Sequence, residues 1–109
     1  MSSTSEIKLK ITLDDENIPE KIEWGADQKE TEGWSETKSM ALSLWDQENQ
    51  NTLRIDLWAK DMPVEQMKKF YIDSLGGLAQ SILNSTGDEF MSQEVNEVCD
   101  KLVEYLKRE

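Results

Sequence analysis

Histidine is absent from the 109 residues. The side chain most often used as a general base near neutral pH, and the commonest nitrogen ligand for metals, is therefore missing. Serine and threonine are scattered, without the glycine-flanked elbow that exposes a nucleophile. The carboxylates fall in turns and on outward strand positions, where water solvates them. We expect no enzyme, no cofactor and no metal site. Cysteine occurs once, at Cys99, so no internal disulfide forms. Its neighbours Glu97, Asp100 and Lys101 are mostly acidic, which does not favour a thiolate. A small buried apolar residue is its expected role.

Bases are scarce: 12 against 23 acids, a formal charge of −11. Such a chain repels phosphate backbones and anionic membrane surfaces, so neither nucleic acid nor a membrane is an expected partner. A basic patch on another protein suits it, and solubility alone also accounts for the charge. Long apolar runs are missing too. No stretch is long enough to span a bilayer, and the short polar segment at residues 1–5 is no secretory leader. With one cysteine and no leader, the cytoplasm is the expected compartment.

What is present is pattern. Residues 51–70, NTLRIDLWAKDMPVEQMKKF, change period midway. Leu53, Ile55 and Leu57 alternate with Arg54, Asp56 and Trp58, the mark of a half-buried strand. Asp61 then reads as a helix start, Pro63 sits near the first turn, and Val64, Met67 and Tyr71 recur at helical spacing. Sheet is expected before this stretch and helix after it.

Residues 5–13 give the first strand, with Ile7, Leu9, Ile11 and Leu13 on one face. Residues 14–17, Asp-Asp-Glu-Asn, form a hairpin turn; the spaced ligand series of an EF-hand is missing. Residues 18–24 give a second strand in which Pro19 argues for an edge or a strand start. Residues 25–36 read as a connecting loop. Trp34, alone in that loop, is expected to fold back as a lid on the core. Residues 37–48 give a third strand and residues 47–51 a turn. With Leu44 opposite Leu53, Leu42 meets Ile55 and Met40 meets Leu57. The other face of that hairpin then carries Trp45 near Thr52 and Trp58 near Ser39, with Ala41 and Arg54 between them. Two indoles left wet forgo several kcal/mol at about 25 cal/mol per Å², so a covering partner is expected there.

A first helix is expected over 62–85, with Val64, Met67, Tyr71, Leu75, Leu78 and Ile82 on its apolar stripe. Gly76 and Gly77 interrupt it, which calls for a kink or the close approach of another backbone. Gly87 ends it and Asp88 caps the next. The second helix, over 88–108, repeats Met91, Val95, Val98, Leu102, Tyr105 and Leu106 in steps of four and three. That is the seam of a short coiled coil, closed within the chain or with a second copy. The expected fold is α+β: a four-stranded antiparallel meander over 5–60, with the two helices packed on one face, in a single domain of residues 1–109.

Several runs carry a family resemblance: SEIKL (5–9), IPEKIEW (18–24), LSLWD (42–46), and above all TLRIDLWAKDMPVEQMKKF (52–70). They resemble the gliding-motility-associated GldC family of Bacteroidetes over most of residues 5–72, with Thr86-Gly87-Asp88 also fitting. The resemblance implies a small soluble protein associated with the gliding machinery, without catalytic residues to carry over. A likeness of architecture alone is to the SecB export chaperone, an oligomer that holds unfolded segments through apolar contacts. The expected function is therefore a non-enzymatic accessory or adaptor of gliding motility, a homo-oligomer working through protein contacts, with a SecB-like holdase as the alternative. The expected interaction residues are Trp45, Trp58, Arg54 and Ala41, aromatics with an arginine being what interface centres favour.

Overall fold

The computed structural model describes residues 2–108. Five antiparallel strands in two sheets are followed by two helices: β1 (Ile7–Leu13), β2 (Pro19–Ala26), β3 (Ser35–Thr37), β4 (Ser39–Asp46), β5 (Asn51–Trp58), α1 (Val64–Thr86) and α2 (Glu89–Lys107). The chain divides at Met62/Pro63 into two compact units, one of strands and one of helices.

In the strand unit, β1, β2 and β3 form one sheet and β4 and β5 the other. The α+β class holds, but the four-stranded meander does not. The expected third strand breaks at Lys38: Ser35–Thr37 pairs with β2, and Ser39–Asp46 pairs with β5. The Ala59 N–H donates to the Lys38 carbonyl at 2.7 Å, and the Thr37 hydroxyl donates to the Ser39 carbonyl at 3.0 Å. These bonds hold the corner where the chain changes sheets. The Lys38 ammonium meets Glu36 at 3.1 Å and Asp61 at 3.2 Å across the same corner. Its pKa is raised by those two carboxylates, Glu36 foremost.

Both hairpin turns are built on an aspartate. Asp14 Oδ1 accepts from the Glu16 and Ile18 N–H groups at 2.8 and 3.0 Å. Asp46 Oδ1 accepts from the Glu48 N–H at 3.1 Å, and its Oδ2 from the Asn49 amide at 2.9 Å. Each turn closes through a residue at positive φ, Asn17 at 64° and Gln50 at 56°. A carboxylate that accepts from its own turn substitutes for a backbone partner and makes such conformations tolerable. A second staple ties the β1–β2 turn to the end of β5. The Lys60 ammonium lies 2.9 Å from Asp14 Oδ2, and the Lys60 N–H donates to the Pro19 carbonyl at 3.0 Å. The core of this unit gathers at Ile22 and Ala59, both fully buried.

Trp34 folds back, though not over the core as expected. Its ring lies against Gly25, with the Lys10 ammonium 4.8 Å from its centroid. Lys10 belongs to the outward, charged row of β1, so the indole covers the polar face. Gly25, opposite Lys8 in the ladder, leaves room there that a side chain would fill.

In the helix unit, α1 runs unbroken from Val64 to Thr86. Its N-cap is Pro63, in an extended conformation, and not Asp61. A proline pushes the residue before it out of helical geometry, so the helix cannot begin at Met62. Gly87, at φ 73°, closes α1 by donating to the Leu83 carbonyl at 2.9 Å. Asp88 caps α2 by accepting from the Met91 N–H at 2.9 Å. The helices pair through small residues. Ala79, Ser92 and Cys99 are buried, with Ile72, Leu75, Val95, Leu102 and Leu106 half-buried beside them. The Ser92 hydroxyl donates to the Ala79 carbonyl at 2.8 Å, and the Cys99 thiol lies 3.9 Å from the Ile72 carbonyl. Cys99 is thus the small buried residue expected.

The seam is accordingly rotated from the expected one. Ser92, Val95, Cys99, Leu102 and Leu106 face α1, whereas Met91, Val98 and Tyr105 are exposed. Tyr71 and Leu78 of α1 are exposed likewise. Small side chains let two helix backbones approach until a serine reaches a carbonyl of its neighbour; a Met, Val and Tyr row would hold them apart. Gly76 and Gly77 neither break the helix nor admit another backbone, since a Cβ at either would meet nothing within 4 Å.

Candidate interaction surface

The β4–β5 ladder has the register that the apolar pattern predicts: Leu44 pairs with Leu53, Leu42 with Ile55 and Met40 with Leu57. The opposite face therefore carries four cross-strand pairs: Trp45 with Thr52, Ser43 with Arg54, Ala41 with Asp56, and Ser39 with Trp58. Trp45, Ala41, Arg54 and Trp58 all lie on this one face. The two indoles stand at opposite ends of it. Thr52 and Trp58 are six positions apart, about 20 Å of strand, so the indoles cannot form one aromatic cluster. They are 58% and 51% exposed.

Arg54 belongs to the face itself. Its Nε and Nη2 lie 3.1 and 2.9 Å from the two carboxylate oxygens of Asp56, and its Nη1 donates to the Ser43 hydroxyl at 3.1 Å. A bidentate guanidinium–carboxylate pair is the strongest geometry such groups adopt. Here it joins two residues of β5, and the Ser43 bond links them to β4.

The Trp58 end is concave. Trp58, Leu57 and Asp56 border an open cleft of about 390 Å³ with Ile18, Pro19 and Lys60. Its two charged groups are already paired, Asp56 with Arg54 and Lys60 with Asp14. What the cleft offers a partner is the apolar side chains of Trp58, Leu57, Ile18 and Pro19. Ile18, Pro19 and Lys60 were not among the expected interaction residues, because periodicity within one strand says nothing of which turn lies beside it. The β1–β2 turn comes there through the Lys60 staple.

Hydrophobic exposure is not confined to this face. Leu44, Leu53 and Ile55, expected inward, are about half exposed on the other side of the same hairpin. Among the described residues, no group of three His, Cys, Asp or Glu side chains gathers where an ion could sit. No helix among them is long and apolar enough to cross a membrane.

A family model described as gliding motility-associated protein GldC-like matches residues 19–108. The chain belongs to this GldC-like family. The match runs from the first residue of β2 to just beyond α2, so it spans the β4–β5 hairpin, both helices and the residues of the Trp58 cleft other than Ile18. It reaches well past residue 72, where the motifs in the sequence weaken. No curated protein and no solved structure matches the chain.

Proposed function

We propose that this GldC-like protein is a non-enzymatic adaptor of the gliding machinery, working in the cytoplasm as a homo-oligomer and gripping a protein partner with the outer face of the β4–β5 hairpin. One observation carries the reading: two half-wet indoles stand on a face whose central charges are already paired with each other. Such a face has little left to spend on catalysis or ion binding. It gains most from burial, and an aromatic beside a concave seat is the usual anchor of a protein contact. The partner's contribution is an apolar side chain for the Trp58 cleft and basic residues around it, to suit a chain of charge −11.

The test is capture from the native host on immobilised full-length protein, read by mass spectrometry, in wild type and in Trp58→Ala. A defined partner should bind wild type and lose roughly thirtyfold in affinity with Trp58→Ala, the scale of a 2 kcal/mol anchor, while the melting temperature stays put. If Trp58→Ala instead lowers the melting temperature and leaves capture intact, the indole is structural and the reading fails. The apolar exposure on both sides of the hairpin favours a second reading, a SecB-like holdase. It predicts that stoichiometric protein suppresses aggregation of an unfolded client, and failure to do so removes it.

A further inference from the structure

We infer that the helix pair carries a separate self-association face, on which α1 and α2 pack against the same face of a second copy about a two-fold axis. This deepens the homo-oligomer part of the adaptor reading and rests on it, but not on the hairpin face as the partner's seat. Three residues seven apart on α1, Val64, Tyr71 and Leu78, are 64%, 42% and 53% exposed. Three more, seven apart on α2, are Met91, Val98 and Tyr105, at 50%, 47% and 57%. At 3.6 residues per turn, each row lies roughly 80° round its helix from the buried seam, in the same rotational sense. In an antiparallel pair, equal rotations of one sense point to one side. Tyr71 and Tyr105 do line one groove, of about 240 Å³, over Ile72 and Leu102. The six side chains thus share a face.

Three features favour a second copy as the occupant. The first is the repeat: a seven-residue spacing on both helices is what a further helix layer reads. The second is area. An aromatic buries about 150–250 Å² and the aliphatics less, so the exposed parts of the six sum to roughly 500 Å² per copy. Two copies would then remove about 1,000 Å², the lower bound of a specific interface. The third is charge. Glu94 and Lys101 lie one step beyond the Met91–Val98–Tyr105 row, four residues before Val98 and three after it. A two-fold axis near Val98 runs α2 antiparallel to its copy. It sets Glu94 beside Lys101 of the second copy, and Lys101 beside its Glu94, while Met91 meets Tyr105. An isologous contact needs this self-complementarity.

Sedimentation equilibrium of the full chain tests it. The wild type should sediment at twice 12.6 kDa at micromolar concentration. Val98→Glu, at a half-exposed position, should keep its helical circular dichroism and weaken association at least about tenfold. Glu94→Lys alone and Lys101→Glu alone should each weaken it about fivefold or more. The double exchange should recover the wild-type value, since within one helix residues seven apart do not meet. A wild type that stays monomeric, with the six residues covered from within its own chain or wet, overturns the inference. So does a double exchange no tighter than either single one, or a dimer that survives Val98→Glu but is lost in Trp58→Glu, which would put self-association on the hairpin.

Discussion

At the scale of single residues, two aspartates and a lysine hold the strand unit together, and each leaves a mark on its pH dependence. The pKa of Asp14 is lowered by the Ile18 N–H it accepts from, then by the Lys60 ammonium and the Glu16 N–H. That of Asp46 is lowered chiefly by the Asn49 side-chain amide. A depressed carboxylate contributes stability that is fully present above its unfolded pKa of about 3.9 and is lost as pH falls through the folded value. Lys60 runs the other way. Asp14 raises its pKa, so its contribution is fully present below about 10.4 and is lost as pH climbs through the higher folded value. Urea melts at a series of pH values should therefore show wild-type stability falling below pH 4. In Asp14→Asn that acid limb should be shallower and the stability near pH 7 lower. In Lys60→Met the alkaline limb should flatten. An acid limb of unchanged slope in Asp14→Asn would mean that the turn carboxylate is no more strongly held in the folded chain than in the unfolded one.

At the scale of elements, the helices offer both signs of change. Gly76 and Gly77 sit in an unbroken helix with open space where a Cβ would go. Replacing either with alanine should stabilise the protein by about 0.5–1 kcal/mol, because the unfolded chain loses freedom that the helix never used. Asp88→Ala should cost about 1 kcal/mol, the usual worth of an N-cap. Thermal melts of the three variants, expected up, up and down, check the assignment. If the glycine variants melt lower, those positions touch something that a lone chain does not contain. Elements also show how far the sequence could be read. The β4–β5 register was legible because Leu42, Leu44, Leu53 and Ile55 alternate cleanly and a slip of one residue would turn them all over. The Gly87 and Asp88 boundary was legible because both signals are local: Gly87 takes up a positive φ, and the Asp88 carboxylate accepts from an N–H three residues on. β3 was not, since Ser35, Glu36 and Thr37 pair through backbone groups alone and carry no apolar period. The helix seam was half legible: Val95, Leu102 and Leu106 are in the period and face α1, but periodicity shows where large side chains lie, and the closest contacts are made by Ala79, Ser92 and Cys99. The Trp58 cleft was half legible: its indole is in the pattern, and the turn beside it is not.

At the scale of the whole molecule, charge sets two associations against each other. Two copies at −11 each, about 25 Å apart in unscreened water, would repel by about 20 kcal/mol. At 0.1 M salt a Debye length of about 10 Å reduces this to about 2 kcal/mol, and at 1 M, with about 3 Å, it vanishes. The Glu94–Lys101 contacts across the two-fold axis are exposed pairs worth at most about 1 kcal/mol each, and salt weakens them. Repulsion between the full charges is the larger effect and the more completely screened, while apolar burial on the helix face is unharmed by salt. Self-association should thus tighten several-fold between 0.1 and 1 M sodium chloride. Binding of a basic partner at the hairpin should weaken over the same range, mainly through a slower on-rate. Sedimentation and surface-based kinetics on one preparation read both slopes. Opposite signs require two chemically different faces, one apolar and shared between copies, the other ringed by acid and turned toward a partner. A self-association that weakens with salt would instead be held by charge, and the row of Val64, Tyr71, Leu78, Met91, Val98 and Tyr105 would not be its contact.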